Sequence, residues 1–242
     1  MSNKILVLGA TGNVGTPLVK ALVAKGENVK AASRTGKAVE GAEGVVFNYT
    51  DPDTFGPALD GVDRAYVMLA SGSVDAIGLL TPVLEAAFAK KVKVVFQSVF
   101  GVDADDSIPY RQIEIAIEKS GVPYVILRPN WFSDNFHTYW KAGIDHGQIA
   151  VPAGDGKSSF IDARDIAASA AAALTTDAFN GRAFNLTGVG VPADYAGFLA
   201  SSVYPVREGW TAAVTTDVET LTGKAPRSVE TYAKDHIAAL NG

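Results

Sequence analysis

Ile5-Leu6-Val7-Leu8 is an unbroken apolar run, and Val14, Leu18, Val19, Leu22 and Val23 follow it at helical spacing. The first pattern predicts a buried strand over Asn3 to Leu8 and the second an amphipathic helix. Gly26-Glu27-Asn28 breaks that helix, and Val29-Lys30-Ala31-Ala32 predicts a second strand. Further strands are expected at Val45 to Phe47, Val62 to Leu69, Val92 to Gln97 and Val122 to Leu127. Helices are expected at Ile77 to Lys90, Asp106 to Ser120 and Ala167 to Ala173, with another beginning at Pro52. Strands alternating with helices imply a parallel sheet with right-handed crossovers and helices on both faces. The expected architecture is therefore a Rossmann-type, doubly wound α/β fold. Residues 1–155 would form the main Rossmann domain. Residues 156–242 would supply the remaining core elements and a small C-terminal α/β lobe.

Ligands of such sheets bind beyond the C-terminal ends of the strands, so the residues after each strand are the candidates. Gly9-Ala10-Thr11-Gly12-Asn13-Val14-Gly15 follows the first strand and opens the first helix. Glycines there let the backbone approach a diphosphate, and the helix N-terminus offers it free N–H groups and a positive dipole end. The spacing is Gly-x-x-Gly-x-x-Gly. After the second strand come Ser33, Arg34 and Lys37, with no carboxylate where an NAD-selective fold would place one for the ribose hydroxyl. Arg34 and Ser33 suit a 2′-phosphate, so NADP(H) is expected over NAD(H). Asp51 stands after the third strand, before Pro52, and could also cap a helix there. Ala70-Ser71-Gly72, Ser98-Val99-Phe100 and Arg128-Pro129-Asn130-Trp131-Phe132 complete the set of strand ends.

Composition narrows the chemistry. Cysteine is absent from the 242 residues, which excludes disulfides, thiolate metal sites and cysteine nucleophiles. The net charge is −5, and no Lys/Arg cluster is large enough to bind nucleic acid. No run is long enough to span a membrane, and the N-terminus reads as a core strand rather than a signal peptide, so the expected location is cytoplasmic. His137, His146 and His236 stand far apart without metal-ligand spacing, and are read as surface or packing residues. No metal is expected.

Ser120-Gly121-Val122-Pro123-Tyr124-Val125-Ile126-Leu127-Arg128-Pro129-Asn130-Trp131-Phe132 and Ser159-Phe160-Ile161-Asp162-Ala163-Arg164-Asp165-Ile166-Ala167 resemble signatures of the atypical short-chain dehydrogenases/reductases. Phe184 to Gly188 and Asp217 to Ser228 are similar to their NmrA-like group. The resemblance implies either an NAD(P)H-dependent quinone or azo-dye reductase or a regulator that senses NADP(H). It places Gly9, Thr11, Gly12, Asn13, Val14 and Gly15 on the diphosphate and Asp51 near the adenine. Ala70, Ser98 and Tyr110 would lie along the ribose and nicotinamide, with Pro129, Asn130, Trp131 and Phe132 closing over the ring. Many superfamily members are dimers, so a homodimer is compatible.

In the wider superfamily a Tyr-x-x-x-Lys pair donates the proton. Counting back from Ser120-Gly121, the usual Lys falls on Tyr110 and the usual Tyr on Asp106, so both standard groups are absent. Tyr110 remains the catalytic candidate, as a hydrogen-bonding or stacking group. Glu114, which matches a glutamate frequent in the group, reads otherwise as a charge on an exposed helix face. A ketone needs a proton donor for its developing alkoxide, whereas a quinone's delocalised anion can take its proton from water. The expected activity is therefore hydride transfer from NADPH to a quinone-like or other electron-poor small molecule. The rival is a non-catalytic NADP(H) sensor that binds a protein partner. An epimerase is disfavoured by the missing pair. Trp131, Phe132, Phe136, Tyr139 and Trp140 could wall a flat acceptor or could simply pack the lobe. Finally, Leu186-Thr187-Gly188 runs straight into Val191-Pro192-Ala193, where relatives carry a longer stretch. The expectation is a break in the C-terminal lobe near Gly188 to Ala193, either a natural shortening or an omitted segment.

Overall fold

The computed structural model describes residues 3–39, 41–70, 72–146, 157–189 and 210–240. Its strands are β1 (Lys4–Val7), β2 (Asn28–Ser33), β3 (Glu43–Val46), β4 (Val62–Met68), β5 (Lys93–Gln97), β6 (Tyr124–Pro129) and β7 (Arg182–Leu186). They form one sheet in the order β3-β2-β1-β4-β5-β6-β7. The paired strands from β3 to β6 all run parallel. Strand order reverses between β1 and β4, which makes the carboxyl ends of those strands the place where a ligand fits.

The connections are α1 (Gly15–Ala24), α2 (Phe55–Leu59), α3 (Ala76–Ala89), α4 (Pro109–Lys119) and α6 (Ala163–Thr175). Shorter helices are α5 (Lys141–Asp145), α7 (Asp217–Thr222), α8 (Val229–Asp235) and α9 (Ile237–Leu240). The middles of the central strands are apolar because both their faces are covered, and Ile5, Val7, Val94 and Val95 have no exposed surface. Chain contacts group into two compact units. One comprises Met1–Arg128 with Ala167–Phe184, the other Pro129–Ile166 with Asn185–Gly242. The chain therefore crosses between units more than once, and most of α6 and β7, from the part of the chain after residue 155, groups with the first unit.

Two expectations need correcting. Helix α4 starts at Pro109, not Asp106, because Asp105 accepts the Ser107 N–H at 2.8 Å in a turn that leaves Ile108 extended. Proline then opens the helix, where its missing N–H costs nothing. Glu114 does not lie on an exposed face. Its side chain is wholly buried, and the Arg128 fork grips it through Nε to Oε1 at 2.9 Å and Nη2 to Oε2 at 2.7 Å. Arg111 adds a third bond to Oε2 at 3.0 Å. A carboxylate can leave water this completely only when such partners replace its hydration.

Candidate cofactor site

In the first unit, the turn after β1 is set by contacts among its own glycines. Gly9 is left-handed, with φ of 67°. Its carbonyl accepts the Gly12 N–H at 2.9 Å. A Cβ on Gly15 would stand 2.0 Å from that same carbonyl oxygen and 2.8 Å from Ala10 Cα, so only glycine lets α1 start this close to β1. A Cβ on Gly12 would meet Gly9 O at 3.3 Å, but Gly12 itself faces solvent together with Thr11 and Asn13. Val14 stands at the N-cap of α1 with no side-chain cap. Among the described residues, no acceptor takes the N–H of Asn13, Val14 or Gly15. Uncapped N–H groups at the positive end of a ten-residue helix fit an anion. Val14 itself is buried, so it offers only its backbone.

At the end of β2, Ser33 Oγ accepts the Lys37 N–H at 3.0 Å, which leaves the hydroxyl hydrogen available to a ligand. Arg34 is exposed and has no ion-pair partner among the described residues. Asp51 does cap: it accepts the Asp53 N–H at 3.3 Å at the start of the short helical turn Pro52–Thr54. Ala70 is half-buried after β4, and Ser71 lies outside the described residues. Ser98 is buried after β5, and its hydroxyl has no hydrogen-bond partner among the described residues. Tyr110, half-buried in the first turn of α4, stacks on Phe96 with centroids 6.3 Å apart. Burial pushes its phenol above the ordinary value, the opposite of what a lysine-activated tyrosine shows.

In the second unit, Asn130 is buried and its amide is spent on the protein. Its Nδ2 donates to Ser159 Oγ at 3.0 Å and to the Thr211 carbonyl at 2.9 Å, and its Oδ1 accepts the Trp131 N–H. Pro129 is buried beside it. Phe136 and Trp140 pack against each other and against Phe160, with Trp131, Val229 and Leu240 around them. Phe136 and Trp140 are themselves buried in this cluster. Trp131, stacked on Trp140 at 5.8 Å, and Phe132 keep part of their surface, while Tyr139 points away and is exposed.

Two of the histidines meet. The rings of His137 and His236 stack 5.3 Å apart, Tyr232 lies 4.2 Å from His236, and the Tyr232 hydroxyl bonds His137 Nδ1. Among the described residues, no three His, Cys, Asp or Glu side chains are grouped to hold a metal.

Asp134, in the same region, is raised above the ordinary 3.8 by burial, with Asp162 adding to the effect. The native chain thus holds this proton more tightly than the unfolded chain. The stability it contributes is complete below pH 3.8 and is lost as pH rises through the native value. Asp134→Asn keeps an oxygen for the Ala163 N–H, now accepted at 3.2 Å. We expect the variant to be more stable than the parent at pH 7 and to lose that advantage toward pH 3.8. Urea denaturation across that range checks the sign.

A cavity of about 440 Å³ lies at the opposite ends of the strands, lined by Asp63, Arg64, Lys93 and Asp177 among others. Its charges answer one another. Lys93 donates to the Thr176 carbonyl and to Asp177, and Arg64 to Asp63 and the Leu174 carbonyl. The carboxyl edge of the sheet remains the better candidate, because there the N–H groups of Asn13, Val14 and Gly15 have no acceptor among the described residues.

Residues 9–177 match the model of the NAD(P)H-binding family. An uncharacterized oxidoreductase, YesF, of Bacillus subtilis (strain 168) is 30% identical over 98% of this chain and 96% of its own length. That alignment spans 275 residues, more than this chain's 242, so the relative has positions without a counterpart here. Residues 190–209, most of the expected break, lie outside those described. The NAD(P)H azoreductase of Xenophilus azovorans is 31% identical over 76% of this chain and 68% of its own length. Quinone oxidoreductase 2 of Escherichia coli (strain K12) is 30% identical over the same shares. The solved structure of the E. coli NADPH-dependent quinone oxidoreductase QOR2 with NADPH shares the fold. Its TM-score is 0.78 at 21% identity, covering 97% of this chain and 99% of that one.

Proposed function

The chain belongs to the NAD(P)H-binding family and is an oxidoreductase of it, and we propose that it prefers NADPH and reduces a quinone-like or other electron-poor small molecule. The observation that carries the cofactor half is the pairing, among the described residues, of free N–H groups at Asn13 to Gly15 with an Arg34 after β2 that has no ion-pair partner. The first would hold the diphosphate; the second, with the Ser33 hydroxyl, would hold the adenosine 2′-phosphate. NADPH, when bound, supplies a hydride.

The acceptor half rests on what the protein side chains do not supply. With no Tyr-x-x-x-Lys pair and with Tyr110 raised by burial, these positions offer no activated acid to protonate an alkoxide. A quinone takes up the hydride as a delocalised anion and gains its proton from water, giving the hydroquinone and NADP⁺. The relatives named for quinone and azo substrates agree with that chemistry. The half-buried faces of Trp131 and Phe132 offer flat apolar surface for such an acceptor.

The same lack of an acid favours a second reading, an NADP(H) sensor without turnover. Mixing the protein with NADPH and a panel of benzoquinones, naphthoquinones and azo dyes separates the two. Loss of nicotinamide absorbance at catalytic protein concentration is the expected result. Tight NADPH binding with no turnover on any acceptor would leave the sensor.

A further inference from the structure

Around the buried Glu114, the first unit holds a chain of charges that no reading so far has used. Each arginine that grips Glu114 also grips the loop between β5 and α4. Arg128 Nη1 reaches Asp103 Oδ2 at 2.5 Å, and Arg111 Nε reaches Asp106 Oδ1 at 3.1 Å. Arg111 also meets Glu118 at 2.8 Å, one turn farther along α4. One carboxylate thus anchors two forks, and the forks tie the loop down at two points three residues apart. Asp103 sits in a helical turn, Val102–Ala104, entered through the left-handed Gly101. The other end of the loop is fixed where the Ser98 N–H donates to the Leu127 carbonyl at 2.7 Å, next to Arg128 in sequence.

The loop so held begins at Ser98, whose buried hydroxyl lacks a partner among the described residues, and ends at the helix turn that carries Tyr110, four residues before Glu114. Both are nicotinamide-side candidates of the proposed site. A fork bonded bidentately to a buried carboxylate has one orientation, so its remaining nitrogen fixes Asp103 in place. A lone exposed ion pair of Asp103 or Asp106 would restrain the loop little.

We propose that Glu114 is a positioning residue for hydride transfer: through Arg128 and Arg111 it holds the loop from Ser98 to Asp106, and with it the nicotinamide end of the site. This rests on the proposed function for its activity arm alone. Its requirement is orientation, and an error of an ångström in a reacting geometry costs up to about a hundredfold in rate.

The test compares Glu114→Gln with Arg64→Met, a variant that breaks a comparable ion-pair network at the opposite edge of the sheet. Three quantities are read on each: NADPH affinity by nicotinamide fluorescence, kcat and KM for the best quinone, and amide hydrogen exchange across residues 98–106. For Glu114→Gln we expect kcat to fall by about tenfold or more, NADPH affinity to stay within about threefold, and loop exchange to quicken by about tenfold. Arg64→Met should change stability but neither kcat nor the loop. Arg128→Lys, which keeps the charge and loses the fork, should fall between the parent and Glu114→Gln. Unchanged loop protection in Glu114→Gln, or the same losses in Arg64→Met at matched stability, would overturn the proposal. If the parent turns over no quinone, the acceptor reading fails, and the exchange measurement still decides whether Glu114 holds the loop.

Discussion

Gly15→Ala is expected to weaken NADPH binding by about a hundredfold while costing about 1–3 kcal/mol of stability. The cause is a single contact. The new methyl carbon would lie 2.0 Å from Gly9 O, 2.7 Å from the Gly9 carbonyl carbon and 2.8 Å from Ala10 Cα. All three are backbone atoms, so no side chain can swing aside. The start of α1 must instead back away from β1, carrying the free N–H groups of Asn13, Val14 and Gly15 with it. Bonds from such groups to a charged oxygen are worth roughly 1.5–3 kcal/mol each, so losing one or two accounts for the factor expected. Gly12→Ala is the instructive partner. Its methyl would find Gly9 O at 3.3 Å, a contact the turn can absorb, but it would project from an exposed position where the diphosphate should approach. That variant should lose affinity with little loss of stability. Denaturation midpoints and fluorescence titrations on both variants separate a displaced helix from a blocked approach. Full affinity in Gly15→Ala would mean that the diphosphate is held elsewhere.

The glycine turn was legible because its cause is local: a strand, a forced turn and a helix, all within residues 4–24, leave a pattern that composition cannot hide. Most of the parallel sheet was legible for the same reason, its first six strands each holding a short apolar run, whereas β7, whose Arg182 and Asn185 interrupt the apolar pattern, was not expected. What escaped the sequence reading depends on distant partners. Glu114 reads as polar on a helix face, and only the return of the chain at Arg128, on a different element, shows that the face is covered and the charge answered. A signal was present in Arg111-x-x-Glu114, spaced to meet along one helix face, but that spacing is equally common in solvent. His137 and His236 could not be brought together from sequence, since α8, which carries Tyr232 and ends at its C-cap His236, is placed by packing rather than by any motif. Phe136 and Trp140 illustrate the limit for aromatic residues. Their spacing suits a ligand wall or a core equally, and it is the arrival of Phe160 that spends their surfaces on packing.

Arg34→Asp should invert the cofactor preference, weakening NADPH binding by about a hundredfold and leaving NADH within about threefold. Three features of the β2 end support that size. No carboxylate stands there to accept from a ribose hydroxyl, so nothing in the parent selects NADH. Arg34 is exposed and unpaired among the described residues, so its fork need not be withdrawn from another partner before it meets a phosphate. Ser33 is already oriented, its oxygen occupied by the Lys37 N–H and its own hydrogen free. Placing Asp at residue 34 removes the attraction and adds repulsion toward a 2′-phosphate, and it also supplies the acceptor that a 2′-hydroxyl prefers. Salt gives an independent reading: because the added affinity for NADPH is charge-based at an exposed site, it should shrink as ionic strength rises, whereas NADH binding should respond less. Fluorescence titration of both cofactors at low and high salt, on parent and variant, measures all of this. Equal weakening of NADPH and NADH in Arg34→Asp would show that the residue steadies the loop and does not read the phosphate, and the preference would then have to come from Lys37 or from neither.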